Sequence, residues 1–416
     1  MLSQHYFNPI NKAEIDLAHK VRPFIEAPPT KLDVPMIDLQ AIDLSTFQEG
    51  PQGLKSRQQL ANQLESALTT YGFFKLTGHG IDHDTLERMK SIGQSLFELD
   101  DDTKKKFHAG NTKHPDEADR ELGVIRGVGY KPRGHWEYQN GQRDNVEFFN
   151  IRHFLHDDIF FNKTEYPEFF KYYLDEVSGY YKELHCRVLR QVLTLIDIIL
   201  ELPEGSLWDH HFSVHENDIE KSGGGFGRFL LYHEVSAEYR DLTSGTWLRG
   251  HTDATALTFI ISQPIVSLQI REHDTGAWKY VSHTPDSLIV NIGDAFKYLS
   301  GGYFKSSIHR VTTPPVDQME HKRNTVIYFC DPSLTTLIDP ISLKSPKLQQ
   351  LGLEKVNGAK RITFKEWDEE KGKFLNSKRR ETTGEVKLLG RDTLMSLIQN
   401  DPSANKGSSI SKTIAV

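Results

Sequence analysis

Gly250-His251-Thr252-Asp253-Ala254-Thr255-Ala256-Leu257-Thr258-Phe259-Ile260-Ile261 is the stretch whose reading decides the fold. A histidine and an aspartate stand two residues apart, immediately ahead of an apolar, β-rich run. On a strand, His251 and Asp253 would leave the backbone on the same side. Downstream, the chain runs Asn291-Ile-Gly-Asp-Ala-Phe-Lys-Tyr-Leu-Ser-Gly-Gly-Tyr-Phe-Lys-Ser-Ser-Ile-His309-Arg-Val and then Arg323-Asn-Thr325-Val-Ile-Tyr-Phe-Cys-Asp331. Residues 306–311 read as a strand that would return His309 beside the first pair.

Two neutral imidazoles and one carboxylate on one face of a metal leave the other face open, which suits Fe(II). The H-x-D pattern alone is weak in a chain with 19 histidines. His114-Pro115-Asp116 and His156-Asp157-Asp158 share it, and His135-Trp136-Glu137 has it with glutamate. His114 sits in a charged, Pro-containing loop, and His156 among acidic residues in what reads as a solvated turn. These three read as structural. His251 differs because strand-like segments carrying a further His and an Arg follow it.

The segment resembles the Fe(II)/2-oxoglutarate-dependent dioxygenases of the isopenicillin N synthase-like family. The shared blocks are H-T-D-x-x-x-L-T at 251–258, N-x-G-D at 291–294, a G-x-Y/F-K-S-x-x-H-R-V block ending at Val311, and R-x-S, here Arg323-Asn324-Thr325. The resemblance implies that His251, Asp253 and His309 hold Fe(II). It implies that Arg323 and Thr325 bind the far carboxylate of the cosubstrate 2-oxoglutarate. A guanidinium suits that task because it offers paired donors in a planar fork. Tyr232 matches a family tyrosine that also reaches the cosubstrate, although His233 stands where the family usually has proline. Phe329 matches an aromatic that stacks on substrate in plant flavonoid members; a barrel-core role is the competing reading. Tyr130 and Arg126 lie in Arg126-Gly-Val-Gly-Tyr-Lys-Pro-Arg133, which resembles a segment lining the substrate mouth. Arg126, Lys131 and Arg133 could meet an acidic substrate there or simply face solvent. The implied reaction consumes dioxygen, releases succinate and CO2, and hydroxylates or desaturates a small molecule. The alternatives are an iron-dependent oxidase of the same fold that does not use 2-oxoglutarate, and a catalytically silent regulatory relative.

Composition narrows the class. The chain has 416 residues, 37% hydrophobic and 10% aromatic, enough for a sizeable core, and a net charge of −7 with both signs mixed. That balance argues against nonspecific nucleic-acid binding. Two cysteines, Cys186 and Cys330, indicate neither a disulfide framework nor a zinc site. No run reaches the roughly 18 apolar residues of a membrane span. The start of the chain is too polar for a signal peptide. The expected location is the cytoplasm, with the nucleus left open and the oligomeric state undetermined.

In chain order, residues 1–33 read as a polar arm. Val34-Pro-Met-Ile-Asp-Leu39 and Gly72-Phe-Phe-Lys-Leu-Thr-Gly-His79-Gly-Ile81 resemble the opening strands of the same family, within an N-terminal dioxygenase region over 34–155. His79 reads as a turn residue. Helices are expected over 57–70, 82–99 and 101–107. Residues 156–224 hold the longest helical stripe, 167–200, which would span ~50 Å if unbroken and bend at Gly179. Gly223-Gly-Gly-Phe-Gly227 superficially suggests a phosphate-cradling loop, but a strand over 228–235 follows it rather than a helix. Short strands over 257–262, 267–271, 278–281, 287–291, 306–311 and 325–329 suggest a jelly-roll barrel. The fold expected is mixed α/β (α+β): a double-stranded β-helix (jelly-roll, cupin-like) core over 225–335, flanked by helices including one long helix. A C-terminal extension over 336–416, with helical pieces at 364–371 and 391–398, ends in a tail whose last fifteen residues read as disordered.

Overall fold

The computed structural model describes residues 20–109, 127–135, 143–355, 360–376 and 384–396. Two antiparallel-rich sheets face each other. The larger contains β2 (Ala41–Asp43), β3 (Phe73–Thr77), β4 (Gly129–Lys131), β5 (Val146–Arg152), β6 (Gly224–Tyr232), β8 (Leu257–Ile261), β11 (Leu288–Ile292) and β13 (Arg323–Asp331), in the order β2-β3-β11-β8-β13-β6-β5-β4. The smaller contains β1 (Met36–Ile37), β7 (Thr246–His251), β9 (Leu268–Arg271), β10 (Trp278–Val281) and β12 (His309–Thr312), in the order β1-β10-β9-β12-β7. Strands from before residue 156 therefore pair into the same sheets as those after 224.

Strand alternation sorts the side chains into two cores. On β13 and β6, Ile327, Leu230 and Tyr232 point between the sheets, where they meet Phe73, Phe148, Trp247, Ile260, Ile270, Ile289 and Val311. Val326, Tyr328, Cys330, Phe229 and Leu231 point to the other face and join one buried cluster with the flanking helices, where Phe170 meets Phe229 and Tyr181 meets Tyr328. Burial on both faces explains why β8, β11 and β13 read as near-continuous apolar runs. The helices Leu54–Thr70, His83–Phe97 and Asp101–Lys106 form where expected, and Asp82 and Asp100 cap the latter two through their side chains.

Several expectations need correction. The long helix is interrupted after Lys171, then runs from Leu174 to Ile199 with a wide π-type stretch at Leu184–Leu189. Gly179 lies inside its regular part rather than at a bend. His185 sits in the wide turn, its ring bonded to the Tyr328 hydroxyl (2.7 Å) and the Phe212 carbonyl (2.8 Å). Strand β6 starts at Gly224, not Arg228, so most of the glycine run is strand. A Cβ on Gly225 would lie 1.9 Å from the Phe329 carbonyl, and one on Gly227 would lie 2.5 Å from the Tyr181 ring. Close approach to β13 and to the long helix is what these glycines permit.

Residues 306–308 are not strand; only His309–Thr312 is. His156 is buried and bonded to the Ser222 hydroxyl (3.1 Å), so it is no solvated turn residue. His79 is a buried turn histidine holding the Asp286 carbonyl (2.9 Å). The 391–398 stretch is not helical: β15 (Arg391–Ser396) pairs with β14 (Gly384–Leu388) through a turn at Leu389-Gly390, both at positive φ. His114 and the end of the chain from 397 lie outside the described residues. Among the described residues, no helix is long and apolar enough to cross a membrane. Cys186 and Cys330 are free.

Gly225→Ala and Gly227→Ala should each lower the unfolding free energy by about 1–3 kcal/mol, the usual cost of overpacking. Denaturant melts of the purified variants check this; unchanged midpoints would refute the close-approach account.

Candidate metal centre

The end of β7 and the start of β12 bring the histidines together. His251 and His309 are register partners across an antiparallel pair, with ring centroids 4.4 Å apart. His251 Nδ1 faces the Arg249 carbonyl (2.8 Å) and His309 Nδ1 the Ser307 carbonyl (3.1 Å). An Nδ1–H donated to a carbonyl leaves each Nε2 with its lone pair toward the centre. Both Nε2 atoms face Asp253 Oδ1, at 3.6 and 3.8 Å.

Asp253 does not share a strand with His251. It lies in the loop after β7 and is placed by contacts instead. Its Oδ2 accepts from the Thr258 hydroxyl (2.8 Å) and the Asn291 amide (2.9 Å), and its carbonyl accepts from Asp294 N–H (2.7 Å). Gly293 allows this close approach, since a Cβ there would lie 2.0 Å from the Thr255 carbonyl.

The three ligand atoms lie within 4.8 Å of one another, the only such histidine, cysteine or carboxylate group found among the described residues. Burial, with the neighbouring His309, pushes His251 down to about 4. Burial works against ionisation of Asp253, but His309, His251, Asn291 and Thr258 outweigh it and hold the carboxyl below its usual range. A neutral imidazole and an ionised carboxylate are the forms a divalent cation requires. The donor set fits Fe(II).

Arg323, at the start of β13, points between the sheets and is 5% exposed. Its register partner is Tyr232, whose ring it covers at 5.1 Å and which stacks on Trp247 at the same separation. Among the described residues, no carboxylate lies within salt-bridge distance of Arg323. Burial pulls its pKa below the ordinary value, with Tyr232 opposing. Two residues along the same face, Thr325 accepts from the Gln263 amide (3.0 Å). His233, in the family's proline position, points away to Glu147 (2.8 Å).

Phe329 shares the inner face with Arg323 and Thr325. It stacks on Phe226 at 4.6 Å, and its register partner on β8 is Thr258, the residue bonded to Asp253. Arg228 lies over Phe148 at 3.8 Å and 5.2 Å from Phe329, and its Nε donates to the Asn150 side chain (2.7 Å).

Tyr130 is corrected as a substrate-mouth residue. Its ring packs on Phe149 in the outer core and its hydroxyl donates to the Leu96 carbonyl. Lys131 is corrected too: it is fully buried and paired with Asp144 at 2.6 Å. Arg133 is exposed, and Arg126 lies outside the described residues. Sequence reasoning missed Asn291, Thr258, Gln263, Arg228 and Phe226. The first two lie inside the motif blocks, and Phe226 and Arg228 follow the alternation that places Tyr232 inward.

Two family models match this chain: the 2OG-Fe(II) oxygenase superfamily over residues 230–332, and the N-terminal region of non-haem dioxygenase in morphine synthesis over 34–170. A leucoanthocyanidin dioxygenase of Malus domestica is 26% identical over 309 residues, 73% of this chain and 75% of that protein. A 2-oxoglutarate-dependent dioxygenase of Didymella fabae is 28% identical over 310 residues, 70% of this chain and 85% of its own. A full-length Neurospora crassa protein, crystallised in complex with α-ketoglutarate, shares the fold, with a TM-score of 0.64 at 19% identity over 80% of this chain and 95% of that one. The chain belongs to the 2OG-Fe(II) oxygenase superfamily. It is an Fe(II)- and 2-oxoglutarate-dependent dioxygenase, with dioxygen as its other cosubstrate.

Asn291→Ala removes one of the two side-chain bonds that orient Asp253. It should weaken binding of Co(II), a redox-stable probe, about 10- to 100-fold. Isothermal titration of the metal-free protein reads this; an unchanged affinity would refute the orienting role.

Proposed function

We propose that His251 and His309 through Nε2, and Asp253 through Oδ1, hold the iron of this dioxygenase. Arg323, with Thr325 and Tyr232 beside it, holds the distal carboxylate of 2-oxoglutarate, and the substrate lies against Phe329 and Phe226. The proposed catalytic core, 225–335, carries all of these side chains. The observation that carries the cosubstrate assignment is the buried Arg323 guanidinium, which has no carboxylate within salt-bridge distance among the described residues. A buried charge without a counter-charge is costly. An incoming carboxylate removes that cost and gains two parallel hydrogen bonds.

Bound iron, with 2-oxoglutarate and dioxygen, supplies the oxidation that yields succinate, CO2 and an oxidised substrate. The chain's own work is orientation. Nδ1 contacts to backbone carbonyls fix both imidazoles, Asn291 and Thr258 fix the carboxylate, and the apolar lining of Leu230, Ile260, Ile270 and Ile289 keeps the interior dry.

The substrate we infer is a small molecule with a flat, unsaturated or aromatic face. Its support is the Phe226–Phe329 stack, which shares a register row with Thr258 and so lies beside the Asp253 end of the barrel. The outcome is hydroxylation or desaturation.

Anaerobic titration of the Fe(II) protein with 2-oxoglutarate, followed by the visible metal-to-ligand charge-transfer band, tests the cosubstrate site. Arg323→Met should weaken 2-oxoglutarate binding by about 2–5 kcal/mol, the usual cost of truncating one partner of a buried charge pair. A band unaffected by the substitution would remove Arg323 from the role. For the substrate wall, Phe329→Ala should raise KM in a succinate-release screen of planar metabolites while leaving 2-oxoglutarate affinity within about twofold; aromatic contacts of this kind contribute about 0.5–1.5 kcal/mol beyond area burial. Equal KM for both proteins would place the substrate elsewhere.

A further inference from the structure

Behind the proposed iron ligands lies a buried polar cluster whose side chains make no hydrogen bond to the side chains of His251, Asp253 or His309. Its centre is Asp294, which opens the Asp294–Leu299 helix and is fully buried. Its Oδ2 accepts from Thr252 (3.1 Å), Lys371 (3.4 Å) and Thr393, and its Oδ1 from Ser306 (2.9 Å). Lys371 also donates to the Thr393 hydroxyl, and both are almost fully buried. Lys371 lies on the Phe364–Asn376 helix and Thr393 on β15, beyond residue 332, where the family-model matches end.

The same C-terminal segment grips the backbone of the metal loop. Thr252 N–H donates to the Leu394 carbonyl, and Leu394 N–H to the Thr252 hydroxyl, both at 3.3 Å. The Trp367 indole N–H donates to the Ala254 carbonyl at 2.9 Å. The residues directly before and after Asp253 are therefore both held from the C-terminal side.

We infer that the C-terminal segment is a positioning element of the metal centre: Lys371, Thr393 and Trp367, acting through Asp294, Thr252 and Ala254, hold the His251–Asp253 loop in its metal-binding geometry. The inference rests on the reading of His251, Asp253 and His309 as the iron site. A loop held in place before the metal arrives loses little freedom on binding, and that saving appears as affinity. A buried ion pair is also a weak source of stability compared with apolar packing. Its place directly behind a ligand loop fits a role in fixing geometry.

The test uses the full-length chain, with Co(II) as the metal probe, and compares Thr393→Val, Trp367→Phe and Lys371→Met with wild type. Thr393→Val removes one hydroxyl and Trp367→Phe one indole, so these two decide the matter should Lys371→Met fail to fold. The expected result is a 10- to 100-fold loss of Co(II) affinity by titration, with an altered Co(II) d–d absorption spectrum. Leu348→Ala, in the outer core, serves as the control that lowers Tm without changing Co(II) affinity. Variants that lower Tm but keep wild-type Co(II) affinity and spectrum would overturn the positioning role. A wild-type protein that binds no Co(II) would instead overturn the reading of the triad on which the inference stands.

Discussion

The pairing of β7 with β12 is the constraint on which the proposed metal site depends. It sets His251 opposite His309, and because side chains alternate along a strand, a slip of one residue would send one ring to the wrong face. Asp253 is under no such control, since it follows the end of β7. It is held by Thr258 on β8 and Asn291 on β11, both in the larger sheet. Two of the proposed ligands thus come from the smaller sheet, and the third is gripped by the larger one. The site forms only when the sheets face each other at the right separation, so the apolar core between them is part of the metal site's construction.

Electrostatics inside the barrel follow the same logic. Between the sheets the lining is mostly aliphatic and aromatic, yet it contains Asp253, whose carboxyl is held below its usual range, and the Arg323 guanidinium, which has no carboxylate within salt-bridge distance among the described residues. Asp253 is already steadied by the two histidines, Asn291 and Thr258, whereas burial works against the Arg323 charge with only Tyr232 opposing. On the proposed reading, a divalent cation would be held by Asp253 with the two histidines, and a carboxylate of 2-oxoglutarate by Arg323. The low dielectric that makes unpaired charges costly also makes these ligands bind strongly once present.

The elements nearest this chemistry are the most legible in the sequence. The H-T-D, N-x-G-D, H-R-V and R-N-T blocks are short and local, and the strands they occupy are buried on both faces, so their apolar runs stand out. What stays hidden depends on contacts far apart in the chain. Lys131 reads as a solvated base until Asp144 and the Val146 carbonyl close around it. Tyr130 sits in a family-like segment, but β4 pairs at the sheet edge with that ring turned to the outer core. The Gly223–Gly227 run resembles a loop because its glycines carry no strand signal; only the approach of Phe329 and Tyr181 shows why side chains are missing there. Gly179 reads as a bend by composition, whereas the helix changes its pitch around His185, whose partners lie 27 and 143 residues away.

The C-terminal hairpin escapes a sequence reading for a related reason: Arg391–Ser396 is too short for period alone to separate strand from helix, and the Leu389-Gly390 turn carries the decision. Its placement has a physical rationale in the sheet order. β7 is an edge strand, and a free edge exposes unpaired backbone groups and frays. In this fold the edge carries His251 and leads directly into Asp253. Leu394 bonds the backbone just past that edge, and Asp294, Lys371 and Thr393 hydrogen-bond to one another in the space behind it. An edge strand can carry a metal ligand with fixed geometry only if something outside the barrel restrains it, and here the chain supplies that restraint from its own C-terminal segment.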